Sequence, residues 1–478
     1  MRKNLNLIFV LMIIICFQLI VFCEEDSITF IKTFAGEKGD YGKEIIQAKD
    51  GGYVFIGTTY SYGNKDSDII VIKIDKHGNE LWRRLFGGSN NEGCYSILEV
   101  EDGYLILGYI IEFGKKNTYL IKINDKGAKQ FEKVYNSDRG YDAGKQIIKT
   151  FDNNYVILGE EKKHERFFIY LLKIDQNGGI IWKKDYCHKD GKVFGRSIIQ
   201  ADDGDYYIAG YFEKREQTEL YVLKVDKEGS KIWDKRFGSD DCDKGDVILQ
   251  SKGNKDFIIL GRKSKTLCFI KINAKGEIVT SRYYIFKYST CGGDIKGLNN
   301  DEFILTGMFP RKEIGIFKID KTGNIIWRKY FGSYDFDEGK SVSPTKDGGF
   351  IILAETRSFS KGGSDFLIIK TDERGQCPEM QALEKTQATR PAKLKFKKEP
   401  NYPEGFKKVD IRGIVILQIL IDCDGKPKSV VIYQSCGNEK LDKLVLDAGK
   451  QCQFEPALNR GTPVEMKVLL YYEFNLED

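Results

Sequence analysis

The sequence predicts a mainly β protein, a seven-bladed β-propeller followed by a small α+β domain of ββαβ order. Three observations carry this. A hairpin pattern, Ile72-Lys73-Ile74-Asp75-Lys76-His77-Gly78-Asn79-Glu80-Leu81-Trp82, returns in related form six more times. Its lysine falls at 73, 122, 173, 224, 271, 318 and 370, in steps of 49, 51, 51, 47, 47 and 52 residues. A period near 50 with strand content denotes a radial β array. After residue 376 the repeat stops, and an alternating strand, a turn and an amphipathic helix take its place.

The first residues set the compartment. Arg2 and Lys3 precede an apolar run from Leu7 to Cys23, and Glu24, Glu25 and Asp26 follow. A basic start with a short apolar centre describes a secretory signal, and residues 1–23 are assigned to a signal peptide or membrane anchor. Cleavage, retention as an anchor, and acylation of Cys23 are all open, and each puts the rest of the chain in the periplasm or envelope. The membrane is touched only through this segment. The 478 residues carry 75 Lys and Arg against 70 Asp and Glu, so charge is balanced and no nucleic-acid partner is expected. The 11 cysteines contain no CxxC pair and read as free thiols, not zinc ligands or redox pairs.

Residues 28–376 form the repeat array. In the first unit Gly42 precedes a strand around Glu44 to Ala48, and Asp50-Gly51-Gly52 turns the chain. Strands over Tyr53 to Thr59, Asp68 to Asp75 and Glu80 to Phe86 follow. The turn before the second strand returns as Asp102-Gly103-Tyr104, Asp203-Gly204-Asp205-Tyr206 and Asp347-Gly348-Gly349-Phe350. Trp82, Trp182, Trp233 and Trp327 each sit nine residues after a repeat lysine. They read as wedges between blades; the competing reading is a row of stacking platforms for sugars or a cofactor. The seventh unit lacks its fourth strand, and the orphan strand Ile28 to Phe34 is expected to supply it, removing a free sheet edge. The array resembles bacterial repeat propellers.

No enzymatic chemistry is expected in this array. His77, His164 and His188 occupy unrelated places in their repeats. Asp75, Asp175, Asp226, Asp320 and Asp372 recur, but Asn124 and Asn273 take the same place in two units, a swap that a turn tolerates. Asp240, Asp241 and Asp243 read as a solvated acidic loop, not a calcium site. Each tryptophan is followed by Arg83, Lys183, Asp234 or Arg328, unlike the docking motif of quinone-cofactor propellers. No cofactor or metal is expected.

Residues 377–396 read as a linker, with a short helix over Met380 to Thr386. From Lys397 a strand runs Gly413 to Ile421, Asp422-Cys423-Asp424-Gly425 turns it, and Ser429 to Gln434 returns. A helix covers Glu439 to Gln451, and a last strand runs Glu465 to Asn475. Tyr402-Pro403, Gly413-Ile414-Val415, Asp422 to Gly425, Ser435 to Gly437, Leu441-Asp442, Phe454 to Ala457 and Gly461 to Val464 come in the order of the TonB C-terminal domain family, which residues 397–478 resemble. Members often carry a tryptophan where this chain has Cys452-Gln453.

The resemblance implies a periplasmic domain that grips an envelope protein, such as an outer-membrane transporter, by strand addition. The matching positions are Asn401, Tyr402 and Pro403, and Lys467, Leu469, Tyr471 and Glu473 on the last strand. In the competing reading Tyr402 and Pro403 only fix the domain's entry. Energy transduction of the TonB type calls for a long, often Pro-rich arm, and this chain has 9 prolines and a propeller in that place. The propeller is expected to be a scaffold. The alternative is a glycan- or peptide-binding propeller with the C-terminal module used for docking.

Overall fold

Six of the seven repeats each fold as one four-stranded antiparallel sheet. The protein is described by a computed structural model over residues 28–474, except 35, 64–66, 136–140, 164–165, 216, 239–242, 253–254, 264–265, 285–290, 299, 310–312, 333–334, 361–362, 380–391, 401–412, 436–437 and 460. The charged-apolar segment through Cys23, His164, Asp240, Asp241, the helix expected over Met380 to Thr386, and Asn401, Tyr402 and Pro403 lie outside the described residues.

The first sheet orders Asp40–Gln47, Tyr53–Thr59, Asp68–Ile74 and Glu80–Phe86 as consecutive neighbours. Five more sheets repeat this order, with first strands Asn91–Val100, Asp142–Lys149, Lys192–Gln200, Lys244–Gln250 and Cys291–Gly297. The second and third strands of the first sheet are buried along their whole length. They therefore read as unbroken apolar runs, as strands covered on both faces do. The fourth strand, Glu80–Phe86, is exposed or half-buried throughout and carries Glu80, Arg83 and Arg84.

One strand boundary differs from the sequence reading. Gly42 lies inside the first strand, not before it, because the register shifts between Gly42 and Glu44. An extra residue at this bulge breaks the alternation and hides the strand's first half from a period-two reading.

The seventh sheet takes Asp337–Pro344, Phe350–Thr356 and Asp365–Thr371 from the end of the array and Phe30–Phe34 from its beginning. The register runs from Phe30 opposite Lys370 to Phe34 opposite Phe366. Lys73 stands opposite Trp82 in the first sheet, so Phe30 occupies the tryptophan position of the last.

Apolar clusters lie between successive sheets. One joins Val54, Ile56 and Val71 to Tyr104, Ile106 and Ile121. Another joins Ile351, Leu353 and Ile368 of the seventh sheet to Ile45, Phe55 and Ile72 of the first. A backbone-to-side-chain bond also spans neighbours: Lys49 N donates to Glu99 at 2.9 Å, Phe151 N to Gln200 at 2.8 Å, and Asp202 N to Gln250 at 2.9 Å. Lys346 N makes the same bond to Gln47 at 2.8 Å, from the seventh sheet to the first.

The C-terminal module is a three-stranded sheet covered by a helix, Glu439–Gly449. The helix begins where the Asn438 side chain accepts from Lys440 N and Leu441 N, a cap that satisfies otherwise orphaned donors. Leu441, Val445 and Ala448 pack with Val415, Leu417, Ile419 and Ile421 of the strand Gly413–Ile421. The linker ends earlier than its expected limit at 396. Lys393–Phe396 pairs with Gln453–Glu455, and Ala392 N contacts the Met466 sulfur at 3.4 Å. A four-residue strand is too short to show a period.

Candidate functional site

The last strand, Met466–Phe474, forms one border of the C-terminal sheet, whose order is Pro427–Gln434, Gly413–Ile421, Met466–Phe474. Its register is continuous, from Gly413 opposite Phe474 to Ile421 opposite Met466. Pairing on one side leaves the backbone groups of the other side without a strand partner among the described residues, which is the requirement for adding a further strand. Lys467, Leu469, Tyr471 and Glu473 all lie on this strand. Tyr471 is exposed and Leu470 and Tyr472 are buried, so successive residues face opposite sides.

Tyr472 was not among the residues singled out from sequence, yet it ties the strand to the module's entry. Its hydroxyl donates to Lys398 O at 3.0 Å and lies 3.2 Å from the Cys452 sulfur. Lys397 Nζ sits 4.5 Å from the Tyr472 ring centre. Burial, followed by the contact with Cys452, pushes the Tyr472 hydroxyl well above its ordinary pKa. Cys452 fills the stretch where related domains often place tryptophan, and Phe454 beside it is buried. The pair Cys452 and Tyr472, 20 residues apart, carries no local sequence signal.

The Asp422 turn closes a hairpin between Gly413–Ile421 and Pro427–Gln434. Asp422 accepts from Asp424 N at 2.9 Å and Lys426 N at 2.8 Å, and Gly425 has φ of 83°. The same carboxylate-to-backbone geometry occurs at Asp75, which accepts from His77 N and Asn79 N at 2.8 Å, and at Asn124, which accepts from Lys126 N and Ala128 N. This explains why aspartate and asparagine interchange there: either side-chain oxygen serves.

The repeat lysines gain partners that sequence spacing did not disclose. Lys73 pairs with Asp50, Lys122 with Asp102 at 2.9 Å, Lys173 with Asp152 at 2.6 Å and Lys224 with Asp203 at 3.0 Å. Lys271 pairs with Asp256 at 3.2 Å, Lys318 with Glu302 at 2.8 Å and Lys370 with Asp347 at 2.8 Å. Every repeat thus joins its third-strand lysine to the acid of the turn before its second strand. The bond from Lys122 holds the Asp102 carboxyl below the usual range.

The tryptophans act as wedges. A side-chain carbon on Gly127 would lie 3.1 Å from the Trp82 ring, and one on Gly276 would lie 3.0 Å from the Trp233 ring. Both glycines also have φ above 70°, so the turn of each following sheet needs glycine twice over. His77 and His188 are not brought together: His77 lies in the Asp75 turn, and His188 accepts from Asp190 N at 3.2 Å. The six cysteines whose state is described, at 94, 187, 268, 377, 423 and 452, are thiols and form no disulfide.

Residues 398–476 match the family described as Gram-negative bacterial TonB protein C-terminal. Protein TonB of Vibrio cholerae is 33% identical over 88 residues, which is 18% of this chain and 36% of that protein. The chain therefore spans about a third of the relative it matches. Among solved structures, the Dos1 propeller covers 73% of this chain and 96% of its own at 9% identity and a TM-score of 0.45. Chaetomium thermophilum Sqt1, bound to the N-terminus of the ribosomal protein L10, covers 71% and 98% at 8% identity and a TM-score of 0.44. A Bacteroides caccae protein of unknown function covers 59% and 94% at 13% identity and a TM-score of 0.39. The C-terminal module is thus TonB-like.

Proposed function

We propose that the chain is a non-enzymatic envelope protein in which the TonB-like module grips a periplasmic or outer-membrane partner by strand addition, with the repeat array as its scaffold. The observation that carries this reading is that one side of Met466–Phe474 has no strand partner among the described residues, in a module of that family. An extended segment of the partner pairs along this strand. Tyr471 offers an exposed ring on this strand, and the TonB resemblance assigns partner contacts to Asn401, Tyr402 and Pro403 as well.

The scaffold is a single closed ring of seven blades. Supporting this are the seventh sheet's fourth strand, borrowed from residues 30–34, and the apolar cluster and the Lys346-to-Gln47 bond between the seventh sheet and the first. The N-terminal segment delivers the chain across the inner membrane, and the module's place in transport follows from the partner it holds.

The test compares the full chain with its Tyr471→Pro and Tyr471→Phe variants in cross-linking to envelope fractions. Strand addition requires that proline, which removes a backbone donor and bends the strand, abolish a cross-link that phenylalanine preserves. A partner held equally by all three would refute it.

A further inference from the structure

All seven first strands carry the same bulge. The register shifts between Gly42 and Glu44, Cys94 and Ser96, Gly144 and Gln146, and Gly195 and Ser197 in the first four sheets. It shifts between Gly245 and Val247, Gly292 and Asp294, and Gly339 and Ser341 in the other three. Bulges re-aim a side chain, and here the extra residues line one cavity of about 150 Å³ reached by all seven sheets. Because the position is equivalent in each repeat, these side chains stand at one level.

Four of the seven are cations: Lys43, Lys145, Arg196 and Lys340. Their neutralisation is uneven. Lys340 meets Glu338 at 2.7 Å and Glu355 at 3.4 Å, and Lys145 meets Glu160 at 3.4 Å. The one acidic bulge residue, Asp246, is held by two Arg262 nitrogens at 2.7 and 2.8 Å. Arg196 bonds only the Tyr211 hydroxyl, at 3.3 Å, among the described residues, and remains exposed in the cavity. Lys43 has no ion pair or hydrogen bond among the described residues; the residue after its second-strand glycine, Gly57, is Thr58, where Lys145 and Lys340 find Glu160 and Glu355.

The other carboxylates on the wall are engaged elsewhere. Glu44 accepts from Ile97 N at 2.9 Å and Asp294 from Val342 N at 3.2 Å, and both flank Lys296. Two cations at the bulge level therefore make no ion pair among the described residues, although the carboxylates of Glu160 and Asp246 act on Arg196 and that of Glu355 on Lys43 at longer range. A bound oxyanion would accept the hydrogen bonds that these two cations leave unmade.

We propose that this cavity binds an oxyanion, the carboxylate or phosphate group of a small ligand, held by Arg196 and Lys43 with Lys145 and Lys340 beside them. The volume is well below the roughly 300–1,000 Å³ of sites for drug-sized ligands, which limits the ligand to a small molecule or to one acidic group entering from a larger one. Arginine supplies a planar fork for the two oxygens and lysine a point charge. This site is independent of the strand edge in the C-terminal module.

The full chain is titrated by calorimetry with inorganic phosphate and, separately, with citrate, against sodium chloride of matched ionic strength. Saturable binding of either oxyanion is expected; a response to phosphate alone or to citrate alone assigns the group. Arg196→Gln and Lys43→Gln should each weaken it roughly tenfold, as loss of one charged hydrogen bond does. Arg196→Lys should recover part of the loss, and the exposed Lys227→Gln should bind as the parent does. Lys43 makes no ion pair or hydrogen bond among the described residues, so Lys43→Gln removes the charge without breaking a described bond. No saturable heat with either anion, or an equal loss in Lys227→Gln, would overturn the proposal.

Discussion

Phe30→Ala tests the last sheet at its weakest joint. Phe30 is 6% exposed, lies opposite Lys370, and has its ring centre 6.2 Å from that of Tyr53 in the first sheet. A side-chain carbon on Gly78 would come within 2.7 Å of the Phe30 ring, so the first sheet's turn rests on it. Removing a buried phenylalanine forfeits about 1.5–3 kcal/mol of transfer free energy. The cavity left between two sheets brings the cost to about 3–5 kcal/mol. Leu81→Ala is the control: Leu81 is 56% exposed on an outer strand, and its loss should stay within about 0.5 kcal/mol. Urea unfolding followed by tryptophan fluorescence reads the array alone, because all four tryptophans, at 82, 182, 233 and 327, lie in it. A Phe30→Ala midpoint no lower than that of Leu81→Ala would refute the claim that residues 30–34 complete the seventh sheet and brace the first.

Three further predictions rest on single groups. At Asp320 burial pushes the carboxyl up, but bonds from Asn324 and Thr322 outweigh it and hold the pKa at about 2; its stabilisation is therefore present above the unfolded value near 4 and lost as pH falls through about 2. Asp320→Asn, the residue found in the equivalent turns at 124 and 273, should match the parent most closely at pH 2 and trail it at pH 5 in thermal unfolding; a pH-independent difference counts against this. Lys116 lies 3.6 Å from the Tyr109 ring centre, and burial, followed by the charge of Lys145, brings its pKa down to about 8. Acylation followed by mass spectrometry at pH 8 should label it faster than exposed lysines, and Lys145→Gln should slow it; equal rates in both proteins would contradict the assignment. Tyr472→Phe should cost about 1 kcal/mol in the C-terminal module by removing the bond to Lys398 O, seen as faster amide exchange over 393–396 and 466–474. Unchanged exchange would show that the hydroxyl does not fasten the entry.

The turns were legible because their chemistry is local. Asp75, Gly78 and Asn79 satisfy one another within five residues, so the pattern survives translation along the chain and announces each repeat. The TonB-like module was legible for a related reason: its turn, helix cap and strand starts are each specified by short runs in a set order. The bulges were not, because an inserted residue looks like a broken alternation until its neighbour strand fixes the register. Tyr472 was missed for want of a partner in view, since Cys452 and Lys398 lie 20 and 74 residues away.

The amino-acid sequence by itself determined the repeat period, the hairpin turns, the orphan strand and the family of the last module, all of which depend on contacts within a few residues or on order along the chain. Tertiary structure alone decided which acid each repeat lysine meets, that Phe30 takes a tryptophan's place beside Gly78, and that bulge cations from separate sheets share one cavity. Those relations join residues from about 20 to more than 300 positions apart, and only packing of the sheets brings such distant groups within the few ångströms over which charge and dispersion act.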